Sequence, residues 1–407
     1  MEDWKEYRLG EMIQCNPQVK LEKGKSYNLI DIDSIEIGSR YVKGKELTVY
    51  DGQSGCHFQN GDTVMARITP CLENGKIAQV QCESQKGFGS TELFVFRGTE
   101  NKTDSDYVFN LMSMQFIRNL AANSMTGASG RQRADLGFIK RIKWNFPPLR
   151  TQQKIASILS AYDNLIQNYK KQIEALQTAA SELYKEWFVR FRFPGYKNSR
   201  FENGIPEGWK IERLGNLFEI TSSKRVFEED YVNEGIPFYR SKEIIELSNN
   251  QEITTELFIS NELYAKFKNK FGVPKENDIL ITSVGSIGNS YQVRKDDIFY
   301  FKDGNLTWIK SSSKKALSKY LIYWLKSDLG KNTLISSTIG TSQSALTIEK
   351  LRAIKILVPE VNILEKFEQK ISSFDIKIQI LNKQITNLTQ QRDLLLPRLM
   401  SGKLEVE

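Results

Sequence analysis

The chain is 407 residues long, and with 40% hydrophobic residues it can bury a core in each of two or three ordinary domains. Lysine and arginine outnumber aspartate and glutamate by 57 to 49, and the resulting +8 is too diffuse to argue for nucleic acid by itself. A single histidine excludes a His-dependent catalytic pair or a multi-His metal site, and no apolar run approaches the roughly 20 residues of a membrane-spanning helix.

The first residues, Met1-Glu2-Asp3-Trp4-Lys5-Glu6, lack the basic-then-apolar layout of a signal peptide, so a cytoplasmic protein is expected. Cys15, Cys56, Cys71 and Cys82 form no Cys-x-x-Cys pair and read as reduced structural thiols. His57 reads as a turn residue before Phe58. Strand-like runs cover 62–68 and 92–96, and a helical stretch follows near 105–121. Arg131, Arg133, Lys140, Arg141 and Lys143 against the lone Asp135 form a basic stretch able to neutralise phosphates.

Pro147-Pro148 sets the start of a long helix. From there apolar or small residues alternate at steps of four and three: Ile155, Leu159, Tyr162, Ile166, Tyr169, Ile173, Leu176, Ala180, Leu183 and Trp187. That is a coiled-coil seam, and a helix over 151–190 would be roughly 60 Å long. The turn-rich stretch 194–208 links it to a second copy of the whole pattern.

Trp4-Lys5-Glu6-Tyr7-Arg8-Leu9-Gly10 returns as Trp209-Lys210-Ile211-Glu212-Arg213-Leu214-Gly215, and Gly75-Lys76-Ile77-Ala78-Gln79-Val80 answers to Gly288-Asn289-Ser290-Tyr291-Gln292-Val293. Further strand-like runs cover 278–282 and 306–309, with a helical stretch near 316–330. Pro359 opens a second helix with seam residues Phe367, Ile371, Phe374, Ile378, Leu381, Ile385, Leu388 and Leu395, interrupted by the polar Arg392. Neither seam can be covered by a small domain, so the helices are expected to pack on each other, antiparallel. The fold expected is α+β: a tandem repeat of two mixed heads, 1–146 and 209–358, joined by long helices over 147–193 and 359–407 with a linker at 194–208.

The parts of a nucleic-acid enzyme are missing from the sequence. Gly87-Phe88-Gly89 follows no convincing strand and leads into no helix, Asn145-Phe146-Pro147-Pro148 has the wrong order for an adenine methyltransferase, and Gly285-Ser286-Ile287-Gly288 lacks the Gly-Lys-Ser/Thr ending of a phosphate loop. A chain with no chemistry of its own is expected.

Four motifs carry a resemblance over the whole chain. They are Pro147-Pro148-Leu149-Arg150-Thr151-Gln152-Gln153, Trp187-Phe188-Val189-Arg190-Phe191-Arg192-Phe193-Pro194-Gly195-Tyr196, Ile205-Pro206-Glu207-Gly208-Trp209, and Leu395-Leu396-Pro397-Arg398-Leu399-Met400-Ser401-Gly402-Lys403-Leu404. The sequence resembles the specificity subunits of type I restriction-modification systems. It departs from them where Val361-Asn362-Ile363-Leu364 stands in place of a Gln152-Gln153 equivalent, a change that would make two docking surfaces unequal.

The resemblance implies two target recognition domains that each read one half of a split, asymmetric site in double-stranded DNA. It also implies two modification subunits docked on the helices, with restriction subunits joining them. S-adenosylmethionine, ATP and magnesium are then expected in those partners, with no cofactor or metal in this chain. For DNA contact the residues expected in the first head are Arg67, Thr69, Lys76, Ser90, Ser129, Arg131 and Arg133. In the second they are Tyr239, Arg240, Ser241, Lys242, Ser283, Ser286, Asn289, Ser342 and Gln343, chosen because glycine-bounded loops let backbone approach phosphate and carry readout side chains. Two other readings stay open on the sequence: a coiled-coil scaffold that bridges proteins, and the DNA-reading part of a single-polypeptide modification enzyme.

Overall fold

The computed structural model describes residues 4–127, 132–249, 253, 255–311, 315–338 and 345–406. Its two compact units cut across the long helices: residues 1–172 with 380–407 form one, and 173–379 form the other. Strands Lys143–Phe146 and Lys355–Val358 are the last elements before the two long helices.

In the first unit the head closes on itself at its base. Strand Lys5–Arg8 pairs antiparallel with Lys143–Phe146, the last strand before the helix. Above it lies a five-stranded sheet in the order Ile13–Cys15, Leu93–Gly98, Thr63–Ala66, Ile77–Val80, Tyr41–Val42. Thr63–Ala66 is buried throughout and Leu93–Gly98 over its first four residues, which is why both segments read as continuous runs rather than as an alternating pattern.

A second sheet runs Leu47–Val49, Ser26–Ile30, Lys86–Gly89, Cys56–Gln59. The Gly87-Phe88-Gly89 run is thus itself a strand, and its glycines are steric: a Cβ at Gly87 would sit 2.5 Å from the Asn28 carbonyl oxygen and one at Gly89 2.3 Å from that of Ile30. His57 corrects the sequence reading. It belongs to strand Cys56–Gln59, the turn having ended at Gly55, and its ring bridges the Tyr50 hydroxyl at 3.2 Å and the Val19 carbonyl at 3.0 Å. The helical stretch near 105–121 is two helices, Ser105–Ser113 and Gln115–Asn123, because Met114 leaves helical geometry at ψ 132°.

The first long helix, Leu149–Tyr184, starts directly after the proline pair and ends in a π turn, Lys185–Val189. The second, Val361–Met400, continues through Pro397. Within the first unit Ile155, Ala156 and Leu159 from the start of one helix share a core with Leu399 and Met400 from the end of the other, together with Leu9, Ile139 and Phe146 of the head. The helices therefore run antiparallel there.

The second unit repeats the plan. Lys210–Arg213 pairs antiparallel with Lys355–Val358, and the sheet order Glu219–Thr221, Leu306–Lys310, Ile279–Thr282, Ser290–Gln292 matches the first four strands of the first head. The parallel pair Ile236–Tyr239 with Tyr300–Phe301 answers Ser26–Ile30 with Lys86–Gly89. Two helices decorate it, Ser241–Ser248 and Asn261–Lys270. The stretch near 316–330 is again two helices, Lys315–Lys326 and Asp328–Ser336. Trp187 and Phe188 at the end of the first long helix pack on Phe367 near the start of the second, with ring centroids 5.9 and 4.9 Å apart. Inside the expected linker, Phe201–Glu202 and Ile205–Pro206 form a small antiparallel ladder.

Every seam residue named from sequence is buried or half-buried. Arg392, the polar interruption, is also withdrawn from solvent, and its guanidinium meets Asp163 of the first helix at 2.8 Å.

Candidate nucleic-acid interface

In the first head the loop that leaves the central strand Thr63–Ala66 carries Arg67 and Thr69, and it is braced by the chain that leads to helix Leu136–Arg141. Ile68 bridges Arg133, the Thr69 N–H donates to the Gln132 carbonyl, and the Ala134 N–H donates to the Arg67 carbonyl. Ser90 lies at the same edge, its hydroxyl accepting from the Glu92 N–H, while the Arg67 N–H donates to the Glu92 carbonyl. The fold thus gathers Arg67, Thr69, Ser90 and Arg133, which lie far apart in sequence.

Their charges differ in availability. Arg133 holds Glu92 in a two-pronged ion pair, with Nε 2.9 and 3.0 Å from the carboxylate oxygens, and this bond holds the Glu92 carboxyl below the usual range. Arg67 is half-buried with its guanidinium 4.8 Å over the Phe94 ring, and no hydrogen bond or ion pair among the described residues engages that guanidinium. Lys76 is committed elsewhere: its ammonium donates to the Ile32 carbonyl at 2.9 Å. Ser129 and Arg131 lie outside the described residues.

The second head builds the same corner with other groups. Val284 bridges Ala345 as Ile68 bridges Arg133, and the Leu346 N–H donates to the Ser283 carbonyl. The Ser283 side chain sits below the surface, 3% exposed and bonded to the Thr307 hydroxyl at 2.6 Å, so as a surface contact that expectation is corrected. Ser286 is exposed, and Asn289 spans the turn by donating to the Ser286 carbonyl. Ser342 and Gln343 lie outside the described residues.

Tyr239, Arg240, Ser241 and Lys242 form a separate group where strand Ile236–Tyr239 meets the following helix. Among the described residues no hydrogen bond, ion pair or ring contact connects them to 283–289. Tyr239 stacks on Phe299 at 4.4 Å and burial pushes its hydroxyl up to about 12, so it is a neutral platform. Arg240 pairs with Glu243 at 2.9 Å, the Ser241 hydroxyl is buried with no partner among the described residues, and Lys242 is exposed.

Sequence reasoning missed a set of polar residues where each head meets the long helices. Asp163 lies between seam positions and is 3% exposed at its side chain, and Gln152 is wholly buried, taking the Asp104 N–H and donating to the Lys102 and Pro147 carbonyls. Gln152 therefore faces its own head, and Leu364, which replaces it in the second copy, is buried in an apolar cluster. The signal was present in the repeat: a shift of 212 carries Asp163 onto Asp375 and Gln152 onto Leu364.

Among the described residues no helix is long and apolar enough to cross a membrane, and no three metal-ligating side chains gather. Burial pushes the Cys15, Cys56 and Cys82 thiols up, to about 11, 12 and 11.

The family model for the type I restriction modification DNA specificity domain matches this chain twice, over residues 1–178 and 206–390. The chain belongs to this family. As a type I specificity subunit its role is DNA sequence recognition, and the two matches coincide with the two repeats. Among its relatives, the MjaIX specificity subunit of Methanocaldococcus jannaschii is 31% identical over 74% of this chain and 70% of its own length. The MjaVIII specificity subunit of the same organism is 25% identical over 100% and 94%. The HindI specificity subunit of Haemophilus influenzae is 21% identical over 99% and 100%. A crystal structure of a type I S subunit from M. genitalium shares the fold, with a TM-score of 0.53 and 17% identity over 97% of this chain and 96% of that one.

Proposed function

We propose that this specificity subunit is non-catalytic and reads a bipartite, asymmetric target in double-stranded DNA, one half with each head. The observation that carries the reading is the repeat itself: the same four-strand order stands at the centre of both heads while the loops around the two corners carry different side chains. Two copies of one scaffold with different surfaces suit a target with two different halves. In the first head Arg67, Thr69, Ser90 and Arg133 would meet the DNA, and Ser129 and Arg131, outside the described residues, are proposed with them. In the second, Tyr239, Arg240, Lys242, Ser286 and Asn289 would do so, and Ser342 and Gln343, outside the described residues, are proposed with them.

The long helices would hold the heads and carry two modification subunits, with restriction subunits completing the assembly in the cytoplasm. S-adenosylmethionine, ATP and magnesium would be bound by those partners. The deciding experiment replaces residues 1–146 by the first head of a relative, co-expresses the chimera with the modification subunit and maps the methylated sites. One half of the site should change while the other half and the spacing persist. A chimera that changes both halves or the spacing alone would sink the reading.

A further inference from the structure

In the first unit the Asp163 carboxylate, on the first long helix, receives Arg392 of the second helix at 2.8 Å and Arg40 of the head at 3.1 Å. Arg40 is 2% exposed at its side chain and also reaches the Gln79 amide oxygen at 3.2 and 3.3 Å and Asp106 at 2.9 Å. In the second unit Lys319 of the head donates to Asp375 of the second long helix at 2.7 Å and to the Gln292 amide oxygen at 2.6 Å.

These are one device in two versions. Asp375 is Asp163 shifted by 212, and a shift of 213 carries Gln79 onto Gln292 and Asp106 onto Lys319. The helix carboxylate and the strand glutamine are kept in both copies, while the cation has moved. It comes from Arg40, just ahead of strand Tyr41–Val42, which has no counterpart in the second head among the described residues, or from Lys319, where the first head has an acid. The exchange leaves a trace: Gln79 donates its amide to Asp106 at 2.7 Å, whereas the Gln292 amide nitrogen is buried with no partner among the described residues. What both copies retain is a head-to-helix link through a cation held by the helix carboxylate, and in the first unit, where both partners are buried, breaking it leaves charge buried and unpaired. Such a link tolerates little change of angle.

We infer that Asp163 and Asp375 are positioning residues for DNA recognition: each locks its head to the long helix at one angle, and so restricts the spacer accepted between the two half-sites. The inference rests on the two-headed reading above.

The test uses the full chain co-expressed with its modification subunit on duplexes whose half-sites are separated by the native spacer or by one base pair more or fewer. Asp163→Asn and Asp375→Asn should leave both half-site sequences unchanged and bring methylation at the altered spacers to within about threefold of the native one. Arg40→Ala should loosen the spacer in the same way, and adding Asp106→Lys to it, which copies the second unit's arrangement into the first, should restore preference for a single spacer. A purely structural role predicts instead an equal loss at every spacer and no rescue, and that result overturns the inference. Should Asp163→Asn lose its cooperative melt, Asp375→Asn decides, because the Asp375 side chain is 36% exposed and its loss leaves less charge stranded. If the wild type selects no bipartite site, both the reading and the inference fall. If it does and the variants keep one strict spacer, the inference alone falls.

Discussion

Two lysines chosen by the same sequence logic end in different states. Lys242 is exposed at a helix start, whereas Lys76 spends its ammonium on the Ile32 carbonyl. Lys242→Ala should lower the salt slope of DNA binding by about 1, the signature of one lost phosphate contact. Lys76→Ala should leave that slope unchanged and lower the melting temperature instead; titrations across salt concentrations separate the two. A pH effect follows from Asp31, whose carboxyl is held down at about 2 by its bond to Lys45 and, more weakly, by Ser34. A carboxyl with a folded pKa below its unfolded value of about 3.9 adds stability above that value and loses it as the pH falls toward the folded one. Asp31→Asn should therefore destabilise at neutral pH by about 1 kcal/mol or less, since both partners are partly in solvent. The difference should close between about pH 4 and pH 2, which melts at a series of pH values would show.

At the scale of elements, the seam is the most legible feature in the sequence, because a four-three alternation sustained over many turns arises in few arrangements besides paired long helices. Its apolar weight is greatest at the end rich in aromatic residues. Phe367 is fully buried with Trp187, Phe188, Tyr184 and Tyr323 around its ring, and Phe367→Ala should cost about 3–5 kcal/mol in denaturant unfolding. Strands with continuous apolar runs were equally legible. The short strands Tyr41–Val42 and Tyr231–Val232 were not, since two residues give no period to read, and their register comes from partners distant in sequence. The break at Met114 was hidden because residues of good helix propensity stand on both sides. At the candidate interface, positions could be chosen by loop and glycine but not their availability. Nothing near Ser283 or Lys76 in sequence announces Thr307, brought in by sheet pairing, or Ile32, brought in from a turn distant in sequence.

For the whole molecule, the compact units part within the long helices, between 172 and 173 and between 379 and 380. Inserting one heptad at each point adds about 10 Å of helix, roughly three base-pair steps of DNA at 3.4 Å each. Methylation mapping should then show a longer spacer or no methylation, with both half-sites unaltered; an altered half-site would mean that the helices read sequence. The same division bears on the order in which the protein can be made. The second unit is one uninterrupted stretch, but the first is assembled from 1–172 and 380–407, and Leu399 and Met400 complete a core begun at Leu9. During synthesis the head that emerges first must wait with its apolar floor open until the ribosome has passed residue 400, by which time its later twin has had every residue it needs. A stop codon near 380 would thus damage the head translated earliest and spare the one nearest the break.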